Sequence, residues 1–280
     1  MQVSVHDIAT PASAGAKQDA PPALEARDIR KSFGGIHAVD GVSFTLRPGE
    51  ILGMVGDNGA GKSTLIKTIT GAYRRDSGEV LLNGEPVSFE NTRQARERGV
   101  ETVYQSSGLV EVMDAPANLF LARETLRPGR LSRALGLIDR RHMRQETRSL
   151  LGTLNIKLGN LSAPIRTLSG GQQQSVAVGR AAYWRGSIII LDEPANNIGV
   201  DQQRAVLALV RRIRETYGTA FIMISHNMEH VFSLADRVIV MRQGRKVGDL
   251  PIAQTTREAV VGLITGAIPA VADGYGAGAA

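Results

Sequence analysis

The order of apolar and polar positions along the chain separates short strands from longer helices. Brief apolar runs at Leu24–Ile29, Val42–Leu46, Ile51–Val55, Glu79–Asn83, Val100–Tyr104, Ser187–Leu191, Ala220–Ile224 and Arg237–Met241 predict β-strands. Unbroken runs such as Ile188-Ile189-Ile190-Leu191 fit strands buried on both faces of a parallel sheet. Helical periodicity starting at Lys62, Thr92, Gly171, Asp201, Asn227 and Thr256 predicts helices between them. This alternation argues for an α/β core. From about Gln105 to Arg166 the rhythm changes to a helix-biased, Arg-rich stretch punctuated by Arg127-Pro128-Gly129 and Ser162-Ala163-Pro164, which predicts an inserted helical subdomain. The expected organisation is a leader at 1–22, rich in Ala, Pro and small polar residues and read as disordered, a core domain over 23–266, and a flexible tail at 267–280.

Composition narrows the picture further. The 280 residues are 42% hydrophobic, enough for a substantial core. With no cysteine there is no disulfide framework, thiolate metal site or cysteine nucleophile, which fits a reducing compartment. The first thirty residues carry no basic start followed by an apolar run. No stretch approaches the roughly 18 uninterrupted apolar residues of a membrane helix, so any membrane role is expected to come through a partner. Net charge is +6. Eight arginines between Arg123 and Arg148, against Glu124, Asp139 and Glu146, account for +5 of it. No aromatic residue interleaves with them to stack bases, so nucleic acid is not an expected partner; a solvated basic face and an anionic lipid surface both remain open.

The chemistry lies in four strings. Gly56-Asp57-Asn58-Gly59-Ala60-Gly61-Lys62-Ser63-Thr64 follows an apolar strand and opens a helical pattern, as a phosphate-binding loop requires. Its glycines let backbone N–H groups turn toward phosphate oxygens, and the helix N-terminus adds partial positive charge. Lys62 is expected on the β- and γ-phosphates and Ser63 on Mg²⁺. The run Ile188–Leu191 ends in Asp192-Glu193-Pro194, two carboxylates where open α/β sheets bind ligands. Asp192 is expected to hold Mg²⁺, and Glu193 to act as general base on the attacking water. His226 follows another apolar strand and can supply a donor to the γ-phosphate. Leu168-Ser169-Gly170-Gly171-Gln172 begins a long helical pattern and forms a second phosphate-binding helix start. One chain has no evident need for two such cradles, whereas two chains facing head to tail do, each closing the other's site.

These strings, in this order over about residues 23–266, resemble the ATP-binding cassette (ABC) family, which implies a P-loop NTPase fold with a RecA-like core, N-terminal antiparallel strands and an inserted α-helical subdomain. The resemblance implies that Phe33, in Lys31-Ser32-Phe33-Gly34, stacks on adenine, a core Phe being the alternative. It implies that Gln105 touches Mg²⁺ and couples to a membrane subunit. Asp57, Gly99-Val100-Glu101-Thr102-Val103-Tyr104-Gln105 and Ser225-His226-Asn227-Met228 are similar to the ATPases of monosaccharide importers of ribose, xylose and fructose type. The implied protein is a cytoplasmic, membrane-peripheral, transport-coupled ATPase. Its implied partners are a second ATPase subunit, an integral permease and, indirectly, a periplasmic solute-binding protein. An ABC ATPase for another solute, or a soluble ABC protein acting on nucleic acid, is the alternative. Two strings depart from the family: Ala195-Asn196-Asn197-Ile198-Gly199 after the carboxylates, and Ser106-Ser107 after Gln105.

Overall fold

In a computed structural model, which describes residues 21–105, 108–184 and 186–271, β1 (Leu24–Phe33) and β2 (Ile36–Leu46) pair antiparallel from Leu24 opposite Leu46 to Phe33 opposite Ile36. Register shifts between Ala26 and Ile29, and again before Ser32, interrupt the inside–outside alternation. The apolar pattern therefore marks only part of each strand. β4 (Ser77–Leu82) joins the other edge of β1, and β5 (Glu85–Val87) joins β4, in the order β2-β1-β4-β5.

A second sheet carries the order β10-β9-β3-β8-β7-β6, with β3 (Ile51–Val55), β6 (Val100–Val103), β7 (Ile188–Asp192), β8 (Ala220–Ile224), β9 (Arg237–Arg242) and β10 (Arg245–Pro251). Only β10 runs antiparallel to its neighbour. Every residue of β3 and β8 is buried, which is why both read as continuous apolar runs. Leu52 and Met54 of β3 and Ala220, Ile222 and Ile224 of β8 share one core with Leu24, Val42, Leu46, Leu65, Ile69 and Ile190. α1 (Lys62–Ile69), α2 (Thr92–Glu97), α8 (Met228–Leu234) and α9 (Arg257–Thr265) accompany this sheet in one compact unit, formed by the described residues up to 105, 186–194 and 218–271. Helix starts fall within a residue of expectation where a side chain caps the first turn: Asn227 accepts from Glu229 N and Thr256 from Ala259 N.

This unit buries one charge cluster. Arg237, 5% exposed, donates from Nε to Glu50 (2.8 Å) and from Nη1 to Asp249 (2.6 Å), and its Nη2 reaches the Thr45 carbonyl. The two carboxylates raise the guanidinium's affinity for its proton against a large burial penalty.

A second unit, of 108–184 and 195–217, is helical: α3 (Ala115–Leu119), α4 (Arg130–Ala134), α5 (Arg140–Thr153), α6 (Gly170–Tyr183) and α7 (Val200–Tyr217). It contains residues 108–166 of the insertion expected at about 105–166, together with α6 and α7, while Gln105 falls in the first unit. Phe120, Tyr183 and Trp184 meet edge to face, with centroids 5.1–5.7 Å apart. The polar ends of this cluster are satisfied. Trp184 Nε1 donates to Leu119 O (2.8 Å) and Tyr183 Oη to Glu146 (3.3 Å). Most of the expected leader and tail lies outside the described residues. Among those described, no helix is long and apolar enough to cross a membrane.

Candidate active site

Sheet register brings three of the four strings to one edge. Met54 of β3 pairs with Ile224 of β8, and Ile224 pairs with Asp192 of β7, so three adjacent parallel strands end level. Asp192 stands on that line, and Glu193, Gly56 at the start of the loop and His226 lie one or two residues beyond it. This is the carboxyl end of the sheet, where open α/β folds take their ligands.

The phosphate-loop string curls into α1. Gly56 (φ 149°) and Gly61 (φ 98°) adopt backbone angles open to glycine. A Cβ at either would also overlap a carbonyl oxygen, that of Met241 at Gly56 and that of Ala38 at Gly61. Ala60 O accepts from Gly244 N (3.1 Å), and Gly244 O from Asp40 N (2.8 Å), fastening the loop to β2 and to the Gln243-Gly244 turn between β9 and β10. Lys62, 8% exposed, donates to the carbonyls of Gly56 (2.7 Å) and Asp57 (2.9 Å), so its ammonium sits within the curl of its own loop. Burial lowers its pKa, countered by Glu193, Asp192 and Asp57. Asp57, Asn58 and Gly59 at the crest are exposed, Ala60 is buried, and Ser63 and Thr64 are half-buried.

Ser63 Oγ lies 3.4 Å from Asp192 Oδ2. Burial, and then the neighbouring Glu193, raise the pKa of Asp192. Glu193 itself is a left-handed non-glycine residue (φ 53°), a conformation that costs about 1–3 kcal/mol and gathers at functional sites. Its backbone N donates to Ile224 O (3.0 Å), while its Oε1 accepts from His226 N (3.1 Å) and His226 Nδ1 (2.8 Å). The expected acid and histidine are thus paired directly, with the imidazole 60% exposed. Since a carboxylate only accepts, Nδ1 carries the proton and Nε2 is left unprotonated in the neutral ring.

Phe33 is 46% exposed at the end of β1, edge-on to Tyr73 (5.3 Å) with Lys31 Nζ over its ring (5.3 Å). It is not a core side chain. Gln105, after β6, is exposed and makes no hydrogen bond to Ser63 or Asp192; Ser106 and Ser107 lie outside the described residues. Among the described residues no three His, Cys, Asp or Glu side chains gather as a metal cage. Ser63 and Asp192 are oxygen donors suited to a hard cation that keeps its remaining oxygen ligands from water or phosphate.

The fourth string belongs to the helical unit. Ser169 caps α6: its Oγ accepts from Gln172 N (3.3 Å), and Gln172 Oε1 accepts from Ser169 N (3.0 Å), a reciprocal capping box. The N–H of Gly171 donates to Gln202 Oε1 on α7 (3.0 Å). A Cβ on Gly170 would lie 2.9 Å from Ile198, and one on Gly171 2.6 Å from Gln202 Cβ. Both glycines are therefore required by close approach of segment 198–202. Sequence reading did not find Gln202, which lies 31 residues away along the chain with no motif of its own.

A family model described as ABC transporter matches residues 39–196. The chain is 41% identical over 247 residues to the fructose import ATP-binding protein FrcA of Rhizobium meliloti, covering 88% of this chain and 95% of that protein. It is 36% identical to the xylose/arabinose import ATP-binding protein XylG of Sulfolobus acidocaldarius, over 86% and 93% of the two chains. Against a ribose import ATP-binding protein, RbsA 1 of Rubrobacter xylanophilus, identity is 38% over 88% of this chain but only 47% of that protein, so the chain spans about half its length. Among solved structures, a nucleotide-free ATP-binding cassette from an ABC transporter superposes with TM-score 0.72 at 23% identity, covering 87% of this chain and 95% of the other. A cassette in its ADP conformation gives 0.73 at 24% identity over the same shares. At such identities these two speak for the fold alone.

Proposed function

The chain belongs to the ABC transporter family, and from that premise we propose that it is the ATP-hydrolysing motor subunit of a monosaccharide importer. The observation that carries the reading is the level ending of β3, β8 and β7, with a phosphate loop, a carboxylate pair and a histidine on one line. Near full-length similarity to a fructose import ATP-binding protein supports the solute class.

The loop backbone from Gly56 to Thr64 binds the phosphates of ATP. The Lys62 ammonium exchanges its two carbonyl partners for β- and γ-phosphate oxygens. Phe33 offers an exposed ring face to adenine. Ser63, Asp192 and Gln105 are the side chains that would hold Mg²⁺, whose charge offsets that of the phosphates when it is bound. Glu193 orients the water and takes its proton as the new P–O bond forms; the bond from the γ-phosphorus to the bridging oxygen breaks, giving ADP and phosphate. His226 holds the Glu193 carboxylate through Nδ1–H, and with the ring protonated at both nitrogens its Nε2–H is the donor to the γ-phosphate. Ser169, Gly170, Gly171 and Gln172 serve the site of a second ATPase subunit, in a dimer of two such chains. The cassette works on the cytoplasmic face of a membrane beside an integral permease fed by a solute-binding protein.

Glu193→Gln tests this. The amide keeps the shape and removes the base, so ATP should still bind while hydrolysis falls by about 10²-fold or more, the scale of a lost general base. Nucleotide should then hold two chains together in sedimentation. In cells the variant should abolish high-affinity uptake of one or a few monosaccharides. Hydrolysis at half the wild-type rate would remove Glu193 from the role, and unchanged uptake across pentoses, hexoses and polyols would remove the solute class.

A further inference from the structure

Between α3 and α5 the helical unit extends an arm whose conformation is closed by its own backbone. Arg127 N donates to Leu137 O (2.8 Å), Asp139 N to Thr125 O (2.7 Å), and Leu126 bridges Ile138 antiparallel. Short α4 sits at its tip and contributes no buried residue. Leu131 is 75% exposed and Leu135 64%, one turn apart on the same side of α4; Leu126, Leu137 and Ile138 are also exposed. Scattered apolar residues are ordinary on protein surfaces, but five exposed ones in thirteen positions are a concentration of apolar side chains on one backbone-closed arm.

The same thirteen residues, 126–138, contain Arg127, Arg130 and Arg133 and no acid. None of the three arginines makes an ion pair among the described residues. The flanking acids are turned to other work: Asp139 caps α5 by accepting from His142 N, and Glu124 accepts from Ala122 N. The arm therefore carries exposed aliphatic side chains together with three guanidinium groups that no acid compensates, and no aromatic ring for bases. Arginine stems lie along apolar surface while their heads stay at a polar boundary, and aliphatic tips enter the acyl edge.

We infer that this arm docks on an anionic phospholipid surface, with Leu131 and Leu135 inserted at the headgroup boundary and Arg127, Arg130 and Arg133 on lipid phosphates. The inference deepens the membrane-side location proposed above. Its main arm uses only the purified chain and lipid, so it fails or stands separately from that reading.

The full chain should co-float with vesicles of phosphatidylcholine containing phosphatidylglycerol, but not with phosphatidylcholine alone, and should be released by high salt. Arg127→Gln/Arg130→Gln/Arg133→Gln should lower partitioning by about tenfold or more. Leu131→Ser/Leu135→Ser should lower it severalfold even at low salt. ATPase activity without lipid should stay at the wild-type level in both, since every substituted residue is exposed. The chain has no cysteine, so Leu131→Cys carries a single environment-sensitive dye whose emission should shift blue with anionic vesicles. Equal partitioning of wild type and leucine variant, or no shift at Leu131→Cys, would overturn insertion. Binding only to proteoliposomes holding a permease would assign the arm to a protein partner and overturn the lipid reading.

Discussion

Replacing a helical glycine with alanine ordinarily stabilises a protein, and two glycines here should respond with opposite signs. At Gly152, near the end of α5, a Cβ would meet nothing within 4 Å. Gly152→Ala therefore gains only the backbone-entropy difference, about 0.5–1 kcal/mol. At Gly171 the same gain is available, but the new Cβ would sit 2.6 Å from Gln202 Cβ and 2.9 Å from its Cγ. Gln202 Cβ is fixed to the α7 backbone and cannot swing away, so α6 and α7 must separate locally. Overpacking of that kind costs about 1–3 kcal/mol. The Gly171 N–H bond to Gln202, worth about 1 kcal/mol, is lost with it. Cost exceeds gain, and Gly171→Ala should destabilise by about 1–3 kcal/mol while Gly152→Ala stabilises. Urea midpoints of wild type and both variants, fitted with a common slope, give the two signs directly. A Gly171→Ala midpoint at or above wild type would refute the packing argument.

Two further outcomes follow from buried charge. Arg237→Met removes the guanidinium from Glu50 and leaves Asp249 paired with Lys246 (3.4 Å), and should cost about 3–5 kcal/mol, read as a lowered urea midpoint; a loss under about 1 kcal/mol would mean the cluster is hydrated. Burial and Glu193 raise the Asp192 pKa above its unfolded value of about 3.9, so its ionised form is penalised in the folded chain. That penalty is complete above the folded pKa and disappears as pH falls through it. Asp192→Asn should accordingly raise the melting temperature at pH 7.5, lose that advantage near pH 4, and lack hydrolysis. A pH-independent difference would contradict the assignment.

The core strands were legible because burial on both faces leaves no alternative to a run such as Phe221-Ile222-Met223-Ile224. β5 and β10 were not: Glu85-Pro86-Val87 is three residues long with a proline, and Arg245–Pro251 has charged residues at its start and only its middle buried. α3 and α4 escaped because each has five residues, too few for a helical period to register. The residues of the phosphate loop and the carboxylate pair announced themselves by local spacing. The Glu193–His226 bond could not do so, since it depends on Asp192 and Ile224 being register partners in neighbouring strands. For the same reason the glycine string showed its own cap, Ser169 with Gln172, but not Gln202.

Clamping of the phosphate loop has a thermodynamic consequence. With Ala60 O tied to Gly244 N, Gly244 O to Asp40 N, and backbone pressed against Gly56 and Gly61 from both sides, the curl is a product of folding rather than of ligation. Fixing one residue's backbone costs about 1–2 kcal/mol of entropy, so a loop of nine residues ordered only on contact would subtract heavily from affinity. Here the loop clamp removes that ordering cost, and what remains to be offset is the exchange of the two carbonyl partners of Lys62 together with the general cost of association. The same clamp makes the β9–β10 turn a mechanical handle on the loop: displacement of Gly244 would reach the phosphate cradle without passing through any residue that touches nucleotide.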